Sequence, residues 1–181
     1  MTPNMFNPYR YASGCNCTTY NTNASSNTYL DFGSQVWAGV VIGTVLETSN
    51  AHLGKKLCSV KFRLYKTGTI TQTLSFGIVS TGTTDGTLDY SFTETVDADS
   101  LTTDTAGEDI EISGETLDHE LAVNDVIAVR VNNTTSGVKI RTDTVSDAMT
   151  NAKCARLNNA GTWNTTHPAT QYIEGNFGVC E

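Results

Sequence analysis

Hydrophobic positions along this chain recur at every second residue, in short stretches parted by turn residues. The pattern is plainest between Gly54 and Val79. There Cys58, Val60, Phe62 and Leu64 fall on one side of an extended ribbon, with Ser59, Lys61, Arg63 and Tyr65 on the other. After the break at Lys66-Thr67-Gly68, Ile70, Leu74, Phe76 and Ile78 repeat the pattern against Thr71, Thr73 and Ser75. Side chains of a strand point alternately to opposite faces, so each half reads as a half-buried strand. We expect the two to form a hairpin whose dry face needs a second sheet to cover it.

The rest of the chain continues in the same manner. Gln35 to Leu46 is a nearly continuous apolar run, and its Val40, Ile42 and Val45 favour a strand, with Gly39 and Gly43 marking a bulge or a close backbone approach. Leu88, Tyr90 and Phe92 alternate after the turn cluster Ser80 to Gly86, and Ile110 to Ile112 follows an acidic loop. Leu117 to Val123 and Val126 to Val131 read as a strand pair around Asn124-Asp125, and Val138 to Ile140 as another strand. Val145 to Lys153 is the one stretch suited to a short helix, and Arg156-Leu157, Trp163 and Tyr172 to Val179 supply the last strands. Eight or nine short strands without helical intervals predict an all-β fold, a two-sheet antiparallel sandwich of jelly-roll type. Residues 1–34 differ in texture: they hold two of the three prolines, the polar run Asn16 to Thr28 and scattered aromatics. We read them as an extended N-terminal arm, ordered by partner contacts or disordered, ahead of a sandwich domain at 35–181.

Composition sharpens this reading. Charged residues are 17% of the chain, below the roughly 25% usual in soluble domains. Polarity comes instead from 30 Thr, 13 Ser and 15 Asn, residues of strands and turns. A net charge of -8 disfavours nucleic acid, which requires a clustered positive surface. No stretch approaches the roughly 18 apolar residues of a membrane span. The first residues show no hydrophobic run behind a basic start, so we expect no signal peptide: the chain is assembled inside a cell or numbered after processing.

Candidate chemistry is sparse. His52, His119 and His167 fall in turns and loops outside any nucleophile motif and read as surface histidines, so we expect no enzyme. Five cysteines, Cys15, Cys17, Cys58, Cys154 and Cys180, leave at least one thiol unmatched or joined to another chain. Cys15-x-Cys17 is too tight for the usual zinc-ligand spacing. The candidate metal set is calcium at Asp97, Asp99, Asp104 and Asp109, with Glu108, in a loop that lacks EF-hand spacing. Sequons at Asn16, Asn23, Asn132, Asn133 and Asn164 are close to the about four that chance gives in so hydroxyl-rich a chain. Trp37 reads as core, whereas Trp163 in polar surroundings is either a sugar-stacking contact or an edge residue capping the core.

The run Ser59-Val60-Lys61-Phe62-Arg63-Leu64-Tyr65-Lys66-Thr67-Gly68 is followed by Val96 to Thr102, Leu121 to Ile127 and Gly161-Thr162-Trp163. This order of elements, Leu57 to Phe177, resembles single jelly-roll domains of phage and archaeal-virus structural proteins and of microbial surface proteins. It spans about two thirds of the chain and leaves residues 1–34 outside. The resemblance implies a non-catalytic building or display domain and fixes no binding residues; the cysteine content departs from it. The leading expectation is a self-assembling subunit of a virion surface, decoration or appendage. Its arm would meet copies of itself through Phe6, Tyr9, Tyr11, Cys15, Cys17, Tyr20 and Tyr29, with capsid proteins, surface proteins or glycans as further partners. The alternatives are a subunit of an extracellular microbial filament or sheath, and a carbohydrate-binding module using Trp163.

Overall fold

The computed structural model describes residues 28–32, 39–131, 137–143, 152–158, 160–165, 172–173 and 175–180. Twelve strands run through them: β1 Thr28–Asp31, β2 Gly39–Leu46, β3 Lys56–Lys66, β4 Thr73–Ser80, β5 Tyr90–Asp97, β6 Glu108–Ser113, β7 Asp125–Val131, β8 Val138–Asp143, β9 Ala152–Asn158, β10 Trp163–Asn164, β11 Tyr172–Ile173 and β12 Gly175–Cys180. The first eight pair antiparallel in the orders β1-β8-β3-β6 and β2-β7-β4-β5. That is the strand order of a jelly roll, two sheets packed face to face, as the alternating pattern predicts.

The last four strands extend the roll. β9 and β10 continue the second sheet beyond β2. In the first sheet β8 pairs with β3 only at Leu64–Lys66. Below that point the two strands part, and the C-terminal segment fills the split, β11 on β8 and β12 on β3. Ile173, Phe177 and Val179 bury their side chains there. The strand count exceeds eight or nine because β10 and β11 have two residues each, too short to show a period.

Two expectations are corrected. β3 and β4 do not form a hairpin: they lie in opposite sheets and face each other across the core. Phe62 stacks on Phe76 with ring centroids 6.1 Å apart, and Phe177 meets Phe62 edge-on at 5.8 Å. Alternation reports that one face of a strand is buried, and two strands covering each other produce the same signal as two side by side. Leu117 to Val123 is a loop, joined to β3 by one isolated bridge, Lys56 to Glu120. Its buried Leu117 and Leu121 are anchors, their N–H groups bonded to Leu57 O and Lys55 O.

The apolar run of β2 is continuous because both of its faces are covered. Ile42 and Leu46 join the main core. Val41 and Val45 point the other way, into a second buried layer with Val79, Val126, Ala128, Ala155 and Leu157, against which Leu88 and Trp163 pack. Between them Gly43 lies so close to β7 that a Cβ there would sit 2.3 Å from Ile127 O.

Leu30 and Phe32 are core residues, so the first strand of the roll comes from the segment read as arm. Phe6, Tyr9, Tyr11, Cys15, Cys17, Tyr20, Trp37 and His167 lie outside the described residues, as does the stretch 144–151 that holds most of the expected helix.

His52, read from the sequence as a surface residue, is 1% exposed. Its backbone N–H bonds Asn50 Oδ1 in the turn between β2 and β3. Burial, and then the charge of Lys55, hold its pKa below the ordinary 6.5. The unfolded chain therefore takes up a proton at a pH where the folded chain does not, so stability is full above pH 6.5 and falls as the pH drops toward the folded-state pKa. Urea midpoints measured downward from neutral pH are expected to decline from that point, with a shallower decline in His52→Gln. An identical slope in the variant would remove His52 as the cause.

Candidate functional site

The acids singled out in the sequence are taken up one by one, in turns or by a basic side chain. Asp97 accepts the backbone N–H of Asp99 and caps a 3-10 turn, Ala98–Ser100. Asp99 is held by the ammonium of Lys66 at 2.6 Å, and that hydrogen bond, with further help from Ile70 N–H, keeps its carboxyl below the usual range. Asp104 accepts from Ala106 N–H, Glu108 from Thr102 N–H, and Asp109 pairs with Arg63 at 2.8 Å. Thr71, Thr73 and Thr95 line a shallow hollow beside Asp97 and Asp99. Among the described residues no group of three or more His, Cys, Asp or Glu is placed to hold a metal ion.

The cysteines divide in the same local way. Cys58 and Cys154 are buried thiols outside any disulfide, and burial pushes the Cys154 thiol up to about 12. Cys180 is disulfide-bonded. Trp163 packs on the second apolar layer and donates its indole N–H to Thr83 O at 2.7 Å. It therefore pins the β4–β5 loop across the outer face of its sheet.

Among the described residues a second cleft lies at the end of the roll where the β4–β5 and β6–β7 loops meet the start of β7. Asp89 organises the first loop: its carboxylate accepts Ser80 N–H at 2.7 Å and the Thr83 hydroxyl at 3.0 Å. Thr81 N–H bonds Asn124 O and ties this loop to the second. Asn124, at φ 74, takes the left-handed conformation that turns the chain into β7, a conformation Asn tolerates better than most residues. Asp125, buried at that turn, receives Ala122 N–H at 2.8 Å and His119 Nε2 at 2.6 Å on the same carboxylate oxygen. The imidazole so fixed stacks on Tyr90, centroids 4.3 Å apart and planes within 19°.

Ser80, Thr83, Asp89, Tyr90, His119 and Asp125 wall an open cleft of about 580 Å³. Ser80 shares the cleft with a His–Asp pair, yet its hydroxyl accepts Gly82 N–H and makes no hydrogen bond to the imidazole. The arrangement offers an aromatic surface with hydroxyl and carboxylate groups beside it, and it lacks Lys and Arg. Sequence reasoning passed over His119 because nothing in its spacing from Asp125 marks the pair. The only trace is Leu117 and Leu121, whose burial brings the loop between them down onto the roll.

Asp125→Ala would remove the acceptor of both Ala122 N–H and His119, leaving a polar group unmet at a buried turn. An expected cost of about 2 kcal/mol follows, read from the urea midpoint of the purified variant. A change within about 0.5 kcal/mol, the ordinary scatter of surface substitutions, would show that the corner does not depend on this carboxylate.

In comparisons with protein-family models, with curated proteins and with solved structures, nothing matches this chain.

Proposed function

We propose that this chain is a non-catalytic building block that assembles with copies of itself, as a subunit of a virion surface, decoration or appendage structure. The observation that carries the reading is the unequal protection of the two sides of the roll. On one side lie β5 and β6. β5 is bulged between its contacts with Ser75 and Gly77, and the N–H of its Thr93 is taken by the Glu115 carboxylate at 2.8 Å. β6 carries Glu108, Asp109 and Glu111, two of them paired with Arg63 and Lys61. Bulges, charges and occupied N–H groups are how natural sheets prevent edge-to-edge pairing.

Among the described residues, no such guard stands on the opposite side. There β1 is four residues long and, among the described residues, pairs with β8 alone. Its Tyr29 is 50% exposed, meets Tyr65 edge-on at 5.8 Å and lies 5.3 Å under the Lys139 ammonium. The strand is held by four backbone positions and by the burial of Leu30. Such a strand is exchangeable, since the same contacts form whether it comes from its own chain or from a neighbour. Residues 1–27 run directly into it, and Phe6, Tyr9, Tyr11 and Tyr20 give them the aromatic surface to dock on a second copy. A thiol of Cys15 or Cys17 would make that contact covalent under oxidising conditions.

A subunit of an extracellular filament or sheath is the second reading. It is favoured by the disulfide at Cys180, because such bonds persist in oxidising surroundings.

Light scattering and negative-stain microscopy on the full chain, and on chains lacking residues 1–27 or 1–32, test the proposal. Large regular assemblies are expected from the full chain and folded monomers after the first truncation. The second truncation also removes Leu30 and Phe32 from the core and should lower the unfolding midpoint. A full chain that stays monomeric at every concentration would overturn self-assembly.

A further inference from the structure

We propose that the cleft between the β4–β5 and β6–β7 loops binds a neutral sugar, with Tyr90 as its stacking platform. Tyr90 opens the edge strand β5 and is 40% exposed, although one face of its ring is covered by His119. Its solvent-facing surface is therefore what the imidazole leaves uncovered. The imidazole is held by the buried Asp125, which is itself fixed by Ala122 N–H. The platform is thus set before any ligand arrives, and little side-chain freedom remains to be lost on binding.

The groups around the platform fit a polyhydroxylated ring. Ser80 and Thr83 bring hydroxyls, Asp89 and Asp125 bring carboxylates. Each carboxylate already accepts from two internal donors, which fixes its direction. A carboxylate offers about four acceptor positions, so some remain on Asp89 for sugar hydroxyls, while the buried Asp125, on the His119 side of the ring, holds the platform in place. Apolar C–H faces of a sugar would lie on the ring, as aromatic side chains with polar neighbours allow. A volume of about 580 Å³ falls within the roughly 300–1,000 Å³ of small-ligand sites.

Charge narrows the class. The lining holds two carboxylates without Lys or Arg, and the chain carries -8, so phosphorylated, sulfated and uronic ligands are repelled. A quaternary ammonium group is recognised by several aromatic faces around one point, and here Tyr90 and the imidazole stacked on it form no such cage. The neutral sugar is what remains. This site stands apart from the β1 edge and does not depend on assembly through it, and it moves the sugar contact away from Trp163, whose indole N–H is committed to Thr83 O.

The full-length chain would be titrated calorimetrically with neutral oligosaccharides of glucose, galactose, mannose and N-acetylglucosamine. A sialylated oligosaccharide, a sulfated one and choline complete the panel. Binding to at least one neutral series is expected, weakened about tenfold or more in Tyr90→Ala and retained in Tyr90→Phe. Amide shifts in the unaltered protein, clustered at Tyr90, His119 and the 80–83 turn, give a reading that does not rely on any variant folding. No neutral sugar bound, binding confined to the acidic sugars or choline, shifts located elsewhere, or binding indifferent to Tyr90→Ala would each overturn the proposal.

Discussion

The contact of Phe62 with Phe76 across the sandwich is the interaction on which the rest depends. Each ring is fully buried, and each sits mid-strand in a different sheet. Stacked aromatic pairs contribute about 0.5–1.5 kcal/mol beyond the area they bury, but the larger consequence is geometric. Fixing β3 over β4 sets the separation of the sheets, and Phe177 can fill the split between β3 and β8 only because Phe62 offers it an edge at 5.8 Å. The outer strands inherit their positions from these two. β6 registers along β3, β5 along β4, and the loop that enters β5 and the loop that leaves β6 are thereby brought to the same end. The Glu115 contact with Thr93 and the cleft at Tyr90 both follow from that placement.

The acidity of the chain has a local explanation in the loops. Asp85 accepts from Thr87, which lowers its carboxyl pKa. Asp89 gathers Ser80 and Thr83, Asp97 caps Asp99, Asp104 serves Ala106, and Asp125 serves Ala122. Asn158 does the same without charge for Ala160 and Thr162. Side chains of Asp and Asn that bond a backbone N–H two residues on, or close to it, replace a turn that glycine or proline would otherwise have to make. A jelly roll has many such connections, and this chain has three prolines to make them with. Part of the charge is thus a by-product of turn construction.

Much of the fold was legible because period-two alternation survives wherever one face is wet. β3, β4, β6 and β8 were read near their true places for that reason. Partnership was not legible. Leu74 and Phe76 alternate identically whether β4 lies beside β3 or over it, and only the interleaved order of the whole roll decides. Leu117 and Leu121 imitate a strand because two anchors four residues apart match its period as well as a loop's. The site was the least readable part. Tyr90 and His119 are 29 positions apart, and their stacking depends on the Asn124 turn, the Asp89 clamp and two buried leucines acting together. None of these is a motif, and a chemical site built from loop packing leaves no spacing behind in the sequence.

The two functional readings constrain each other through geometry. Assembly through β1 uses the side of the roll away from β5, and β5 is the strand on which Tyr90 stands. Copies joined by strand exchange at β1 would therefore leave every cleft open, and would repeat it at the spacing of the assembly. A single shallow cleft with one aromatic platform is a weak binder by itself, since one ring contributes only about 0.5–1.5 kcal/mol beyond its area. Repetition changes that, because a second contact on the same surface becomes intramolecular and gains the effective concentration of a tethered site. In such an assembly the guard on β5 and β6 would have two consequences from one arrangement: it would oppose pairing at that edge, and it would keep the face beside the cleft clear of neighbouring copies.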